Sequence, residues 1–229
     1  MKFILNRTDD YLTRSHKWIL GYGLLFWIIT RLIASAILIG CVAIYKSNGL
    51  DPDAMTQFGG SPGRAAGMGR MWFVVSTIAF MAPLLEECIF RLGLSFKRRQ
   101  IAIGIAAIPL YMLWQLIPHF VVGKAVIYLL CAVGVFCLIQ FGSTEKFWQG
   151  KKVYEFRPTV WASAIAFGLI HLIAFTHYSL ALIPYMLCVI LIPFFAGCVA
   201  TYYRLNLGFW WGVGIHIFNN LPGLAIILS

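Results

Sequence analysis

The sequence predicts an all-α polytopic membrane protein in which about seven transmembrane helices form one bundle. Of the 229 residues, 61% are hydrophobic and only 11% are charged, whereas soluble domains carry roughly a quarter charged residues. Apolar runs recur along the whole chain, and a helix needs about 20 such residues to cross a bilayer. We therefore expect a single integral membrane domain over residues 1–229 and no additional soluble domain.

The predicted spans follow from the positions of the apolar runs. Basic residues flank these runs, which cover about 18–45, 71–94, 101–122, 125–141, 158–176, 179–203 and 207–228. The segment 46–70 is rich in Gly and Pro and is expected to be an irregular connector. The segment 142–157 has mixed charge and is expected to be a solvated loop.

The basic residues predict the orientation of the chain and argue against a nucleic-acid partner. The formal net charge is +10, but Lys and Arg flank the apolar runs and do not form one basic face. With the N-terminus in the cytoplasm, twelve of them fall inside and four outside, as the positive-inside rule expects. The lipid bilayer is therefore the expected partner. The six cysteines lie in apolar runs without Cys-x-x-Cys spacing, and we interpret them as small buried hydrophobic residues.

Two adjacent carboxylates, Glu86 and Glu87, lie within the second apolar run. A charge near the bilayer centre costs at least about 2.5–3.5 kcal/mol, so an acidic pair there indicates a functional site. Glu87 and Arg91 are four residues apart and can form an ion pair on one helix face, which can also be purely structural. Glu86 is turned about 100° from Glu87. It is predicted to be the freer carboxylate and a general base.

Two histidines lie at a similar depth in other apolar runs. Glu86, His171 and His216 are 11, 14 and 12 residues from a basic cytoplasmic residue that flanks their own run. At 1.5 Å per residue, these offsets are roughly 16–21 Å. The three side chains, from the second, fifth and seventh spans, are therefore expected to meet in one layer.

The residues one helical turn from these histidines complete a hydrolytic site. Asn220 follows His216 by four residues, so both can donate hydrogen bonds in one direction. Phe167 precedes His171 by four residues and is expected to pack beside its imidazole. Glu86 and His171 are predicted to bind and deprotonate water. The donors His216 and Asn220 are predicted to stabilise a carbonyl oxyanion. A water-activating pair and an oxyanion-binding pair together indicate peptide-bond hydrolysis.

Three motifs resemble those of the CAAX protease and bacteriocin-processing (CPBP, or Abi) family of intramembrane endopeptidases. Residues 86–91 match its Glu-Glu-x-x-x-Arg motif, residues 167–171 its Phe-x-x-x-His motif, and residues 216–220 its His-x-x-x-Asn motif. Three such motifs in this order on separate runs are a fairly specific signal. The family-like core covers about residues 71–228. The resemblance implies a helical membrane fold related to the type II CAAX prenyl endopeptidases, with a catalytic cavity open towards the cytoplasmic side.

The resemblance also implies roles, substrates and a location. The implied catalytic residues are Glu86, His171, His216 and Asn220, with Glu87, Arg91 and Phe167 as supporting residues. The implied substrate is a peptide or a membrane protein. The implied location is a prokaryotic inner (plasma) membrane, and the Lys and Arg distribution predicts that the N-terminus is in the cytoplasm.

Other interpretations of the same residues stay open. Buried Glu and His side chains also build the proton relays of proton-coupled transporters. A non-catalytic CPBP-like immunity or scaffold protein would keep its function without Glu86 and His171. Glu86, His171 and His216 can also be drawn as a two-His, one-carboxylate zinc site. No His-Glu-x-x-His helix is present, so a metal-independent mechanism without a cofactor is preferred.

Overall fold

The computed structural model describes residues 16–51, 75–115, 122–175 and 179–228. Within these ranges the chain is almost entirely helical, which confirms the predicted all-α class. The seven α-helices are α1 (His16–Ser47), α2 (Ala82–Arg91), α3 (Arg98–Gln115), α4 (Val122–Gly142), α5 (Glu145–Leu169), α6 (Ile183–Leu207) and α7 (Phe209–Leu228). The predicted runs 18–45, 125–141, 179–203 and 207–228 correspond to α1, α4, α6 and α7. Most of the connector 46–70 and the end of the run 101–122 lie outside the described residues.

Among the residues that the structure describes, four helical segments are long and apolar enough to cross a membrane. They are Lys17–Ser47, Val122–Gly142, Glu145–Ile173 and Leu180–Leu207. Large aliphatic and aromatic side chains stay exposed along these segments, among them Ile39, Leu130 and Leu138. Exposed apolar surface on this scale marks contact with a membrane or another apolar surface. These helices indicate a membrane protein.

The chain divides into two compact units. One unit contains the described parts of residues 1–76 and 164–229, and in it α6 packs against both α1 and α7. Its buried side chains form two clusters, one around Tyr45 and Tyr185 and the other around Val199 and Tyr203. The other unit contains residues 77–163, and in it α3 packs against both α2 and α4.

The second apolar run is not one continuous α-helix. A π-helical turn at Thr77–Met81 precedes α2, Pro83 lies in the first turn of α2, and a 3₁₀ turn at Leu92–Ser95 follows. Proline has no N–H to donate to the preceding turn, and π-helical turns often occur beside functional sites. α2 is therefore only 10 residues long, with an irregular turn on either side.

The prediction of a solvated loop at 142–157 is wrong, because α5 begins at Glu145. The hydroxyl oxygen of Thr144 accepts a hydrogen bond at 3.2 Å from the backbone N–H three residues later, as an N-cap side chain does. Lys151 and Glu155 form an ion pair at 2.8 Å one turn apart. Opposite charges at this spacing stabilise a helix, so the mixed charge marks the first turns of α5.

Candidate functional site

The two adjacent glutamates lie on α2, and both are buried. The exposed fractions are 7% for Glu86 and 0% for Glu87. Arg91, also 0% exposed, donates from Nη1 to Oε1 of Glu87 at 2.8 Å. The ion pair predicted from their four-residue spacing is confirmed. Each buried charge is neutralised by the other, and removal of either partner would strongly destabilise the fold.

Glu86 has a partner on α3 that the sequence did not reveal. The hydroxyl of Tyr111 donates to Oε1 of Glu86 at 3.1 Å. A phenol that donates to one carboxylate oxygen fixes the orientation of the carboxylate plane. No local pattern indicates this contact, because Tyr111 lies 25 residues further along the chain, within an apolar run.

α3 reaches Glu86 because it packs unusually close to α2. A Cβ atom at Gly104 would lie 2.8 Å from the backbone carbonyl oxygen of Cys88, a separation that real side chains do not adopt. Gly104 and Tyr111 are seven residues apart and share a helix face. The close approach is consistent with the position of the Tyr111 hydroxyl beside the carboxylate of Glu86.

Phe167 brings the two candidate histidines together. Its side chain is buried, with 2% exposed. Its ring makes edge-to-face contacts with the imidazoles of His171 and His216, each with ring centroids 5.3 Å apart. The predicted packing of Phe167 beside His171 is confirmed. Because both imidazoles contact the same ring, residues separated by 45 positions in the chain lie in one cluster.

His171 lies in a 3₁₀ turn, Ile170–Ala174, that continues from α5. Its Nδ1 atom is 2.9 Å from the backbone oxygen of Phe167. A carbonyl oxygen can only accept, so we assign the proton of the neutral ring to Nδ1 and the acceptor role to Nε2. The turn and this hydrogen bond together fix the orientation of the ring.

The end of α5 is held against α6 by a glycine. A Cβ atom at Gly168 would lie 3.0 Å from Cγ2 of Ile190 and 3.1 Å from Cβ of Phe194. These distances are shorter than most real Cβ contacts, so a larger residue would push the helices apart. Gly168 therefore sets the position from which Phe167 reaches the histidines.

Asn219 and Asn220 follow His216 on α7 and have different surroundings. Oδ1 of Asn219 accepts hydrogen bonds from Nε1 of Trp27 at 3.1 Å and from Nη1 of Arg31 at 3.4 Å. Both donors are on α1. Nδ2 of Asn219 is 3.5 Å from Oδ1 of Asn220. The side-chain oxygen of Asn219 is thus hydrogen-bonded to α1. The role of Asn220 as an oxyanion donor stays a prediction.

The candidate residues therefore form two groups, each within one unit. Glu86, Glu87, Arg91 and Tyr111 belong to the unit of residues 77–163, whereas Phe167, His171, His216 and Asn220 belong to the other unit. The possible zinc ligands Glu86, His171 and His216 are drawn from both. In the ranges that the structure describes, no group of three or more His, Cys, Asp or Glu side chains is placed to hold a metal ion.

Comparison of the chain with protein-family profiles, with curated proteins and with solved structures gave no match.

Proposed function

We propose that this chain is an intramembrane endopeptidase that hydrolyses a peptide bond near the cytoplasmic side of the membrane. The observation that carries the proposal is the arrangement on α2. Glu87 is neutralised by Arg91, and the adjacent Glu86 is buried and hydrogen-bonded to Tyr111. A buried, oriented carboxylate is suited to accept a proton from water, because burial removes the competing bulk solvent.

The proposed catalytic set is the one that the sequence predicts, with Glu86 acting together with His171, His216 and Asn220. Glu86, His171 and His216 share a sequence-derived depth of roughly 16–21 Å from their basic flanks. The contacts of Phe167 with both histidines support a common imidazole cluster. The order of the three motifs along the chain, similar to that of CPBP endopeptidases, supports the same catalytic set.

The proposed reaction begins with a water molecule held by Glu86 and His171. Glu86 removes a proton from the water, and the water oxygen adds to the carbonyl carbon of the substrate. His216 and Asn220 donate hydrogen bonds to the resulting oxyanion. One preorganised donor of this kind contributes about 10²–10³ in rate. When the C–N bond breaks, protonated Glu86 returns its proton to the leaving amine, and the other product is the carboxylic acid.

The proposal extends to the membrane topology and location. We infer seven spans, with the cytoplasmic N-terminus that the distribution of Lys and Arg favours. This places the bond to be cleaved within reach of a cavity open to the cytoplasmic side. A prokaryotic plasma membrane is the location that the family resemblance favours.

The proposed mechanism uses no metal, and zinc is its named alternative. The same Glu86, His171 and His216 would be the zinc ligands, and water would occupy the open position. Asn220, one turn from His216, suits an oxyanion donor better than a zinc ligand. Cleavage assays with and without exhaustive chelation separate the two mechanisms, because only the zinc mechanism predicts activity that added Zn²⁺ restores.

Mapping of new protein termini in membranes tests the proposal even though the substrate is not identified. Membranes from cells that carry the wild-type protein are compared with those that carry Glu86→Gln, His171→Ala or the control Glu155→Gln. Glu155 is half-exposed and pairs with Lys151 on the same helix. We expect termini that are present with the wild-type and control proteins and absent with the other two. Identical termini in all four membranes would contradict the proposal.

A further inference from the structure

The centre of α1 carries an arginine at a depth where a charge is costly. Arg31 lies 15 residues after His16 and 16 residues before Ser47, the two ends of α1. At 1.5 Å per residue it is about 22–24 Å from either end. A guanidinium near the middle of a span costs about 2.5–3.5 kcal/mol on insertion scales, and such residues usually mark a functional site.

The guanidinium of Arg31 makes only one long hydrogen bond within the part of the protein that the structure describes. Its single polar contact among the described residues is the hydrogen bond from Nη1 to Oδ1 of Asn219 at 3.4 Å. This is longer than the 2.7–3.2 Å of an ordinary N–H···O bond. The same oxygen also accepts from Trp27 at 3.1 Å. Arginine has five N–H donors, so most of its donor capacity is available to a ligand.

A small, partly open pocket lies beside this guanidinium, within the unit of α1, α6 and α7. Its polar wall includes Arg31, Thr30 and Asn219, and its apolar wall includes Ile192 and Phe195. The hydroxyl of Thr30 donates to backbone oxygens of its own helix. Arg31 is therefore the charged donor of the pocket, and an apolar surface faces it.

We propose that this pocket binds a carboxylate carried by an apolar molecule, with Arg31 as the partner of the negative charge. One guanidinium balances one negative charge, and its planar fork matches the two oxygens of a carboxylate. The small pocket receives only the carboxylate end, and the apolar side chains at its open side suit an attached hydrocarbon chain or aliphatic side chain. Two sources carry this chemistry, a free fatty acid and the carboxyl terminus of an apolar peptide.

The site is separate from the proposed hydrolytic residues. It uses none of Glu86, His171, His216 or Asn220, although Asn219 contacts both Arg31 and Asn220. A carboxylate bound at Arg31 is therefore detectable by binding alone. The test needs no peptidase activity, so its result is independent of the proposed function.

Binding of tritiated ligands to purified full-length protein in detergent micelles tests the proposal. The probes are laurate and the peptide N-acetyl-trileucine, each compared with a neutral analogue, methyl laurate and the peptide amide. We expect at least one acid to bind tenfold or more tightly than its neutral analogue, a difference of about 1.4 kcal/mol. The acid that shows this preference identifies the source of the carboxylate.

Variants then assign the preference to Arg31. We expect Arg31→Gln to abolish the preference for the acid over its neutral analogue. The control Lys46→Gln removes one positive charge from the end of the same helix and is expected to retain this preference. If Arg31→Gln does not fold, Arg31→Lys replaces it, and loss of the planar fork is expected to weaken binding of the acid. Equal binding of acids and neutral analogues to the wild-type protein, or an unchanged preference in the Arg31 variant, would overturn the proposal.

Discussion

At the residue scale, the folded state depends on the buried ion pair of Glu87 and Arg91. Both are fully buried and lie 2.8 Å apart. Removal of one partner from a buried ion pair typically costs about 3–5 kcal/mol. We therefore expect Glu87→Gln and Arg91→Met each to reduce the yield of folded protein and its melting temperature in detergent, measured by size-exclusion chromatography and circular dichroism.

The double variant Glu87→Gln/Arg91→Met is the control for this pair. It removes both charges of the pair together, so we expect it to be less destabilised than the sum of the two single variants. Single variants as stable as the wild-type protein would show that the ion pair does not stabilise the fold.

Tyr111 is predicted to be a positioning residue for the proposed base. Tyr111→Phe removes the hydroxyl that donates to Glu86 at 3.1 Å and leaves the ring in place. Without this hydrogen bond the carboxylate plane of Glu86 can rotate, and a misplaced catalytic group lowers the rate, so we expect kcat for peptide cleavage to fall about tenfold or more with little change in KM. The control Tyr154→Phe alters a side chain that is 85% exposed. A wild-type kcat in Tyr111→Phe would remove Tyr111 from the mechanism.

The residue contacts that could be predicted are those within one helical turn. The pair of Glu87 with Arg91 and the packing of Phe167 on His171 both join residues four apart, so helix geometry alone indicates them. The contact of Tyr111 with Glu86 depends on the rotation and spacing of two helices. No periodicity in the sequence specifies these quantities, and the same applies to the contact of Arg31 with Asn219.

At the scale of single elements, the approach of α3 to α2 depends on Gly104. A methyl group there would lie 2.8 Å from the backbone oxygen of Cys88, and a backbone atom cannot move aside cheaply. Overpacking of this kind typically costs about 1–3 kcal/mol. We expect Gly104→Ala to lower the melting temperature of the protein.

Gly134→Ala is the matched control for Gly104→Ala. Nothing lies within 4 Å of a Cβ atom at Gly134 on α4 in the part of the chain that the structure describes. Ala is favoured over Gly inside a helix by roughly 0.5–1 kcal/mol. We expect this variant to melt at or above the temperature of the wild-type protein. Equal melting temperatures for the two variants would show that the approach of α3 to α2 is not tight.

The elements themselves were predictable where an apolar run is long and uninterrupted. α1, α4, α6 and α7 follow from hydropathy because a span needs about 20 apolar residues. The start of α5 was missed, since its capping Thr144 and its paired charges resemble a polar loop. The sequence also does not specify the irregular turns around α2, although Pro83 indicates that the helix is interrupted there.

At the scale of the whole molecule, the predicted orientation is open to direct labelling. The backbone N–H of Arg98 donates to Oε2 of Glu145 at 2.9 Å, which places the starts of α3 and α5 together. We therefore expect cysteines introduced at the exposed positions Arg99 and Lys151, in a background without native cysteines, to share one side. With the N-terminus inside, both should react with a membrane-impermeant maleimide only in inverted vesicles.

Lys124→Cys is the control for the opposite side, because the predicted topology places the start of α4 outside. We expect it to react in intact cells. Reaction of positions 99 and 151 from outside intact cells would contradict the predicted orientation.

The proposed mechanism depends above all on Glu86 as the base of peptide hydrolysis. Its most direct test is the rate of cleavage by purified protein in proteoliposomes, with a substrate identified from the mapped termini. Because the base acts in the transition state, we expect Glu86→Gln to lower this rate by at least about 10², with an unchanged elution profile and melting temperature. Glu155→Gln should cleave at the wild-type rate. A folded Glu86→Gln protein that cleaves at the wild-type rate would show that Glu86 is not the base.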